Sequence, residues 1–363
     1  MVVMNINKQT LLHLSLIPGV GPGVLEKLFT TLPKDFDYYK ATVQDLRQCG
    51  IQEKTALTVI NGLKDTTFLE EEIKLLEKHN ISFVTLFDDL YPDQLRTIHL
   101  PPLVLYFQGN PVWKTSQTVS IVGARKANYY GKNVIKKIVP DLIQNNIAVV
   151  SGGAYGIDTY AHQETINAGG KTIVVLGSGL LKPYPVSNKK LFETVKETGG
   201  AIMSSFPCML GGLPGNFPAR NRIISGLSHM TVVVQAAQKS GSLITAHFAL
   251  EQGKSVGAVP GSVEDVLSAG CHYLLSQGAK VVTCAKDILE EYYMVKERKQ
   301  VQMEIVQPAL EEDPVIFACR QPRGFEELIE LTKMEENKLK DYLFDLQLEG
   351  TLEQNFAGLW QKV

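Results

Sequence analysis

The chain has 363 residues, a formal net charge of −2, a hydrophobic fraction of 44% and five cysteines, which suits two or three globular domains of ordinary composition. No apolar run approaches the roughly 20 residues of a membrane span, and the N-terminus lacks the basic start and apolar block of a signal peptide, so a cytoplasmic protein off the membrane is expected. Cys49, Cys208, Cys271, Cys284 and Cys319 contain no Cys-x-x-Cys pair, which argues against a zinc site or a disulfide framework.

The near-neutral total hides a segregation. Residues 1–117 carry 11 basic and 13 acidic groups (−2), residues 118–290 carry 16 and 10 (+6), and residues 291–363 carry 9 and 15 (−6). A polyanionic partner belongs on the middle segment, where neutralised phosphates release their counterions.

Residues 1–75 read as helical. Leu11-Leu12-x-Leu14-x-Leu16-Ile17 leads into Pro18-Gly19-Val20-Gly21-Pro22-Gly23, and Val24-Leu25-x-x-Leu28-Phe29 resumes helical spacing. A Gly-hydrophobe-Gly turn between helices resembles the helix-hairpin-helix module, with a weaker echo at Cys49-Gly50-Ile51. A tight turn between packed helices is the equal alternative, because the segment is not basic and Pro22 removes a donor. Residues 76–117 hold two strands, near Ile81–Leu86 and Leu103–Phe107, that lead into the main sheet.

Apolar runs near Val119–Gly123, Ile147–Ser151, Thr172–Gly177, Ala201–Ser205, Thr231–Ala236, Ser255–Val259 and Lys280–Val282 alternate with helical stretches at Ile157–Ala168, Asn188–Thr198, Leu243–Gln252 and Tyr273–Gln277. Such alternation predicts a parallel sheet with helices on both faces. Its glycine-rich turns all follow strands: Gly123-Ala124-Arg125, Ser151-Gly152-Gly153, Gly177-Ser178-Gly179, Lys239-Ser240-Gly241-Ser242 and Pro260-Gly261. They converge on the carboxyl rim, where open α/β sheets bind ligands, and glycine there is expected to let a bound phosphate approach the backbone. Helix-opening N–H groups add an anion seat and Arg125 a bidentate fork. The Gly-x-Gly-x-x-Gly dinucleotide fingerprint and the Walker lysine loop are both missing, so nucleotide cofactor chemistry loses its support.

Two further stretches load that rim. Asn216-Phe217-Pro218-Ala219-Arg220-Asn221-Arg222 places two arginines, an amide and an aromatic ring together, and Lys239 to Thr245 opens a helix with hydroxyls, a glycine and a cation. The bland alternatives are an arginine clamp on helix ends and a serine N-cap. Asp158 and His162, at i and i+4, share a helical face, but a capping Asp and a hydrogen-bonded His are favoured over a base pair or half a metal site. From about Val295 a polar linker follows. Phe325–Leu331 and Asn337–Leu348 then read as helices around Thr332-Lys333-Met334, before a hairpin at Gly350–Glu353 and Gly358–Gln361. This resembles a winged helix whose presumptive recognition helix opens on Glu335-Glu336, which favours a protein-binding or self-packing role over DNA reading.

The blocks Ile121-Val122-Gly123-Ala124-Arg125, Ser151-Gly152-Gly153-Ala154-x-Gly156-Ile157-Asp158 with Ala161-His162, Tyr184-Pro185 with Asn188, Phe217-Pro218-x-Arg220-Asn221-Arg222-Ile223-Ile224, Lys239-Ser240-Gly241-Ser242-Leu243-Ile244-Thr245 and Ala258-Val259-Pro260-Gly261 stand in order over residues 80–290. With them the chain resembles the DNA-processing protein A (DprA/Smf) family. The resemblance implies an extended Rossmann-like parallel sheet domain (76–294), flanked by an N-terminal helical SAM/helix-hairpin-helix-like domain (1–75), a linker (295–312) and a C-terminal winged-helix domain (313–363). It implies a homodimer that binds single-stranded DNA in natural transformation, protects it and helps load the RecA recombinase. By motif, the DNA and phosphate contacts would come from Gly123, Arg125, Ser151, Gly152, Gly153, Phe217, Arg220, Asn221, Arg222, Lys239, Ser240, Gly241 and Ser242. No catalytic residue, metal or cofactor is expected. Ser205, Gln235, Leu181 and His272 depart from the family pattern, three of them in place of carboxylates.

Overall fold

Helices α1 (Lys8–Leu16), α2 (Pro22–Thr31), α3 (Val43–Gln48), α4 (Glu53–Lys64) and α5 (Thr67–Lys78) open the chain. Left-handed Gly19 and Gly50 turn α1 into α2 and α3 into α4, a backbone region that favours glycine. Thr42 and Asp45 form a capping box that starts α3. The computed structural model describes residues 7–33, 36–292, 313–355 and 358–362. They form two compact units, one ending at Tyr292 and the other drawn from residues 293–363.

The first unit is built on a nine-stranded sheet: β1 (Ser82–Thr85), β2 (Val104–Gly109), β3 (Gln117–Val122), β4 (Ile147–Ser151), β5 (Thr172–Leu176), β6 (Ala201–Ser204), β7 (Met230–Val233), β8 (Ser255–Ala258) and β9 (Lys280–Val281). Their order is β1-β2-β6-β5-β4-β3-β7-β8-β9. All pairings from β6 across to β9 are parallel, and β1 and β2 add an antiparallel edge. The sheet is therefore mixed and mostly parallel. Every residue of β4, β5, β6 and β7 is buried, as strands covered on both faces require.

Helix α6 (Asp93–Arg96) lies between β1 and β2. Helices α7 (Tyr129–Gln144), α8 (Ile157–Asn167), α9 (Lys189–Glu197), α10 (Asn216–Gly226), α11 (Gly241–Glu251) and α12 (Ala269–Ser276) follow β3 to β8 in turn, and α13 (285–292) follows β9. One face packs Ile223, Ile224, Ala246, Ala249 and Leu274 of α10–α12 against Val122, Val150, Val175 and Val233. The other packs Ile135 and Ile138 of α7, Ala161 of α8 and Ile288 of α13 against Val119, Ile121, Val149 and Val232. Strand alternation thus divides one sheet between two cores. A third cluster runs without a break from Leu11, Leu28 and Leu76 of the opening helices to Tyr106, Phe192, Val195 and Cys208.

From β3 the chain winds outward through β4, β5 and β6, then crosses back to β7 on the other side of β3 and winds out through β8 and β9. That reversal opens a crevice above the carboxyl ends of β3 and its neighbours.

The second unit comprises α14 (Pro314–Ala318), α15 (Phe325–Thr332), α16 (Glu336–Leu348) and an antiparallel pair, β10 (Leu352–Gln354) with β11 (Trp360–Lys362). Val315, Cys319, Leu328, Leu339, Leu343, Leu346 and Leu352 form its core. The expected linker, 295–312, lies outside the described residues. All five cysteines are free. Among the described residues no helix is long and apolar enough to cross a membrane.

Candidate functional site

The crevice at the strand reversal is a cleft of about 690 Å³. The β3–α7 turn supplies Gly123, Ala124, Arg125 and Lys126, the first turns of α10 supply Phe217, Arg220 and Asn221, and the start of α11 supplies Ser240, Gly241 and Ser242. Gln235, just beyond β7, holds the β3–α7 turn in place. Its carbonyl accepts from Ala124 N at 2.7 Å, its Oε1 accepts from Asn128 N at 3.2 Å, and its Nε2 donates to Asn128 Oδ1 at 2.8 Å. This neutral amide fits the turn as donor and acceptor at once, which a carboxylate at the same position could not do.

Arg125 and Lys126 are exposed at the lip. The Arg125 guanidinium carbon lies 5.6 Å from the centre of the Phe217 ring, and that of Arg220 lies 5.8 Å from the same ring, both within cation–π range. Tyr184, 46% exposed beside its cis bond to Pro185, is tilted against Phe217 at 5.8 Å. At the opposite wall Ser240 caps α11, its side-chain oxygen accepting from Ser242 N at 3.3 Å. The bland reading of this serine holds for its side chain, while the start of the helix still faces the cleft. Lys239 is exposed in the preceding turn, at the margin and outside the lining.

Four expectations need correction. The space above every rim glycine but Gly241 belongs to the protein itself, and above Gly123, an expected phosphate contact, a Cβ would meet Ile157 at 2.6 Å. A Cβ on Gly152 would meet Arg220 Nη1 at 1.8 Å, and one on Gly177 would meet the Phe217 ring at 2.9 Å. Gly241, by contrast, has nothing within 4 Å and opens onto the cleft. Arg220 is not a solvent-facing cation. It is 5% exposed, and its Nη1 donates to the carbonyls of Gly152 and of Val175, the latter at 3.0 Å. It clamps the ends of β4 and β5, as a guanidinium does when its donors replace lost water. Arg222, two residues on, points away from the cleft and donates to the His99 carbonyl at 3.2 Å. Ser151 and Gly153 are also drawn off, since the Ser151 hydroxyl donates to the Ile121 carbonyl at 2.6 Å and a Cβ on Gly153 would meet Phe192 and Val174.

Asp158 lines the cleft from behind Gly152 and accepts from Ala154 N at 3.3 Å. Burial pushes its carboxyl up from the ordinary carboxylate range, and the Arg220 guanidinium opposes that rise. His162 faces elsewhere: its Nδ1 is 2.7 Å from Thr172 Oγ1, whose hydroxyl donates to the Val149 carbonyl at 2.7 Å. Nδ1 therefore carries the proton, and burial pushes the imidazole down to about 3, so it is neutral. Their hydrogen-bond partners differ, although the Arg220 charge acts on both, and among the described residues no group of three His, Cys, Asp or Glu is placed to hold a metal ion. Lys126 was missed in the sequence, although it follows Arg125 directly. It belongs to no glycine motif, and the exposed loop runs on past the turn to Asn128.

The family described as DNA recombination-mediator protein A matches residues 82–293. Protein Smf of Synechocystis sp. is 35% identical over 353 residues, covering 93% of this chain and 87% of its own. DNA processing protein DprA of Streptococcus pneumoniae is 41% identical over 208 residues, covering 57% and 73%. The X-ray structure of the pneumococcal DprA superposes with a TM-score of 0.69 at 32% identity, over 79% of this chain and 99% of that one. A structure of DNA processing protein A from Helicobacter pylori, described for its single-stranded DNA binding mode, gives a TM-score of 0.53 at 27% identity, over 60% and 96%.

Proposed function

Because the chain belongs to the DNA recombination-mediator protein A family, we propose that its cleft binds single-stranded DNA without regard to sequence. The single observation that carries this reading is the meeting of exposed Arg125 and Lys126, the Phe217 ring and the open Gly241 at the start of α11 around one crevice, with Tyr184 tilted against Phe217 beside it. Cations and helix N–H groups take phosphates, and rings take bases of any identity. Arg220 and Asn221 shape the wall, and Lys239 adds charge at the margin.

In the same proposal the chain acts in the cytoplasm as a homodimer, protects incoming strands during natural transformation and helps load RecA on them. The opening helices form a SAM/helix-hairpin-helix-like module. Residues 313–363 form a winged-helix domain whose acidic character suits a protein partner.

Titration of a fluorescent oligothymidylate tests the binding. Replacing Arg125 and Lys239 together by alanine weakens affinity for every sequence alike and lowers the salt slope by about 1.4, two contacts at about 0.7 each. Unchanged affinity and slope would refute the cleft as the seat.

A further inference from the structure

Beyond the cleft, the β3–α7 turn delivers the chain directly into a face of α7 that carries Tyr129, Lys132 and Lys136, one helical turn apart and all exposed. Tyr129 is 78% exposed, so its ring is open to a ligand. Lys132 and Lys136 line a groove of about 220 Å³ between α7 and α8, opposite Tyr160, Gln163 and Asn167. The Lys132 ammonium lies 5.6 Å from the centre of the Tyr160 ring. One carboxylate, Glu164, lines the same groove against these two cations. Arg125 and Lys126 stand on the rim, and the uncharged residues 127–131 lead from it to Lys132, with Tyr129 exposed among them and the Asp265 carboxylate accepting from Asn128 Nδ2 at 2.9 Å.

We propose that the α7–α8 groove is a second contact track for a single-stranded nucleic acid, taken by the part of the strand that leaves the cleft over Arg125 and Lys126. The proposal rests on the cleft reading above. Tyr129 offers a ring to a base, and Lys132 and Lys136 offer charge to phosphates, the combination that holds single strands without sequence preference. From Tyr129 to Lys136 the helix rises about 10 Å, room for about two or three nucleotides beyond those in the cleft. Glu164 beside the track keeps it weaker than the rim and favours phosphates passing on the Lys132 side.

Oligothymidylates of two lengths, about five and about twenty nucleotides, test this on the full chain. The variant Lys132→Gln/Lys136→Gln binds the long strand several-fold more weakly, with a salt slope lower by about 1.4, and binds the short strand as the parent does. Tyr129→Ala weakens the long strand alone. Lys74→Gln/Lys78→Gln, which removes the same charge from exposed positions on α5, leaves both strands unaffected. Long-strand binding unchanged in the α7 variant, or an equal loss in the α5 variant, overturns the track. Failure of the cleft reading shows separately, as an Arg125→Ala variant that binds the short strand undiminished.

Discussion

Arg125 and Arg220 lie 5.6 and 5.8 Å from the centre of the Phe217 ring, yet their surroundings give them opposite duties. Arg125 faces water and has charge to spare for a ligand, so Arg125→Ala lowers DNA affinity and moves stability by no more than about 0.5 kcal/mol. Arg220 is buried with its donors on two carbonyls. Arg220→Met leaves those carbonyls and Asp158 without it, and thermal unfolding should show a loss of about 3 kcal/mol. Equal melting temperatures for the two variants would contradict the division. His162 gives a pH signature. The folded chain refuses its proton until about pH 3, while the unfolded chain takes it below about 6.5. Acid therefore weakens the fold across that window, by up to about 1.4 kcal/mol per pH unit. Asp158, whose carboxyl is pushed up, works in the opposite direction at the acid end. Denaturant titrations at several pH values should find His162→Gln less acid-sensitive than the parent. A parallel pair of curves would remove His162 as the cause.

Most strands could be placed from residues alone, because fully apolar runs stopped by glycine or serine leave few alternatives for a sheet covered on both faces. Helix α10 was harder. It is not among the helical stretches that the sequence offers, because Pro218 and a polar first turn mask its start, yet proline is tolerated in the first turn, where its missing N–H has no helical partner. Once α10 forms, its geometry decides which arginine turns inward and which outward, and sequence spacing alone cannot reveal that. Its far end is also fixed by other elements: Lys254 donates to the carbonyls of Ser225 and Gly226, and Gln252 to that of Arg222 at 3.0 Å. The join between α5 and the sheet was likewise hidden. Glu72, 5% exposed, accepts from Cys208 N at 2.7 Å, a contact across 136 residues that no local pattern signals. Glu72→Ala leaves that N–H buried without a partner and costs about 2 kcal/mol, whereas Glu72→Gln, which keeps an acceptor, costs less. Chemical denaturation of the two variants checks the order, and a Gln variant as weak as the Ala variant would show that charge matters more than the acceptor.

Across the whole molecule, the excess of cations belongs to the segment that builds the cleft, and the excess of acids to the C-terminal residues. The unit ending at Tyr292 has its own cores, so a fragment of residues 1–292 should melt cooperatively and bind oligothymidylate at least as tightly as the full chain at low salt, freed from like-sign repulsion of the strand. Fluorescence anisotropy of both proteins checks this, and a fragment that folds but no longer binds would move the DNA contact to the C-terminal unit. The central claim meets its most direct measurement in a crystal structure of the protein with a short oligothymidylate. The account predicts phosphates against Arg125 and the start of α11 at Gly241, with a base beside Phe217 and Tyr184. A strand seated elsewhere on the surface, with that cleft filled by water alone, would contradict it.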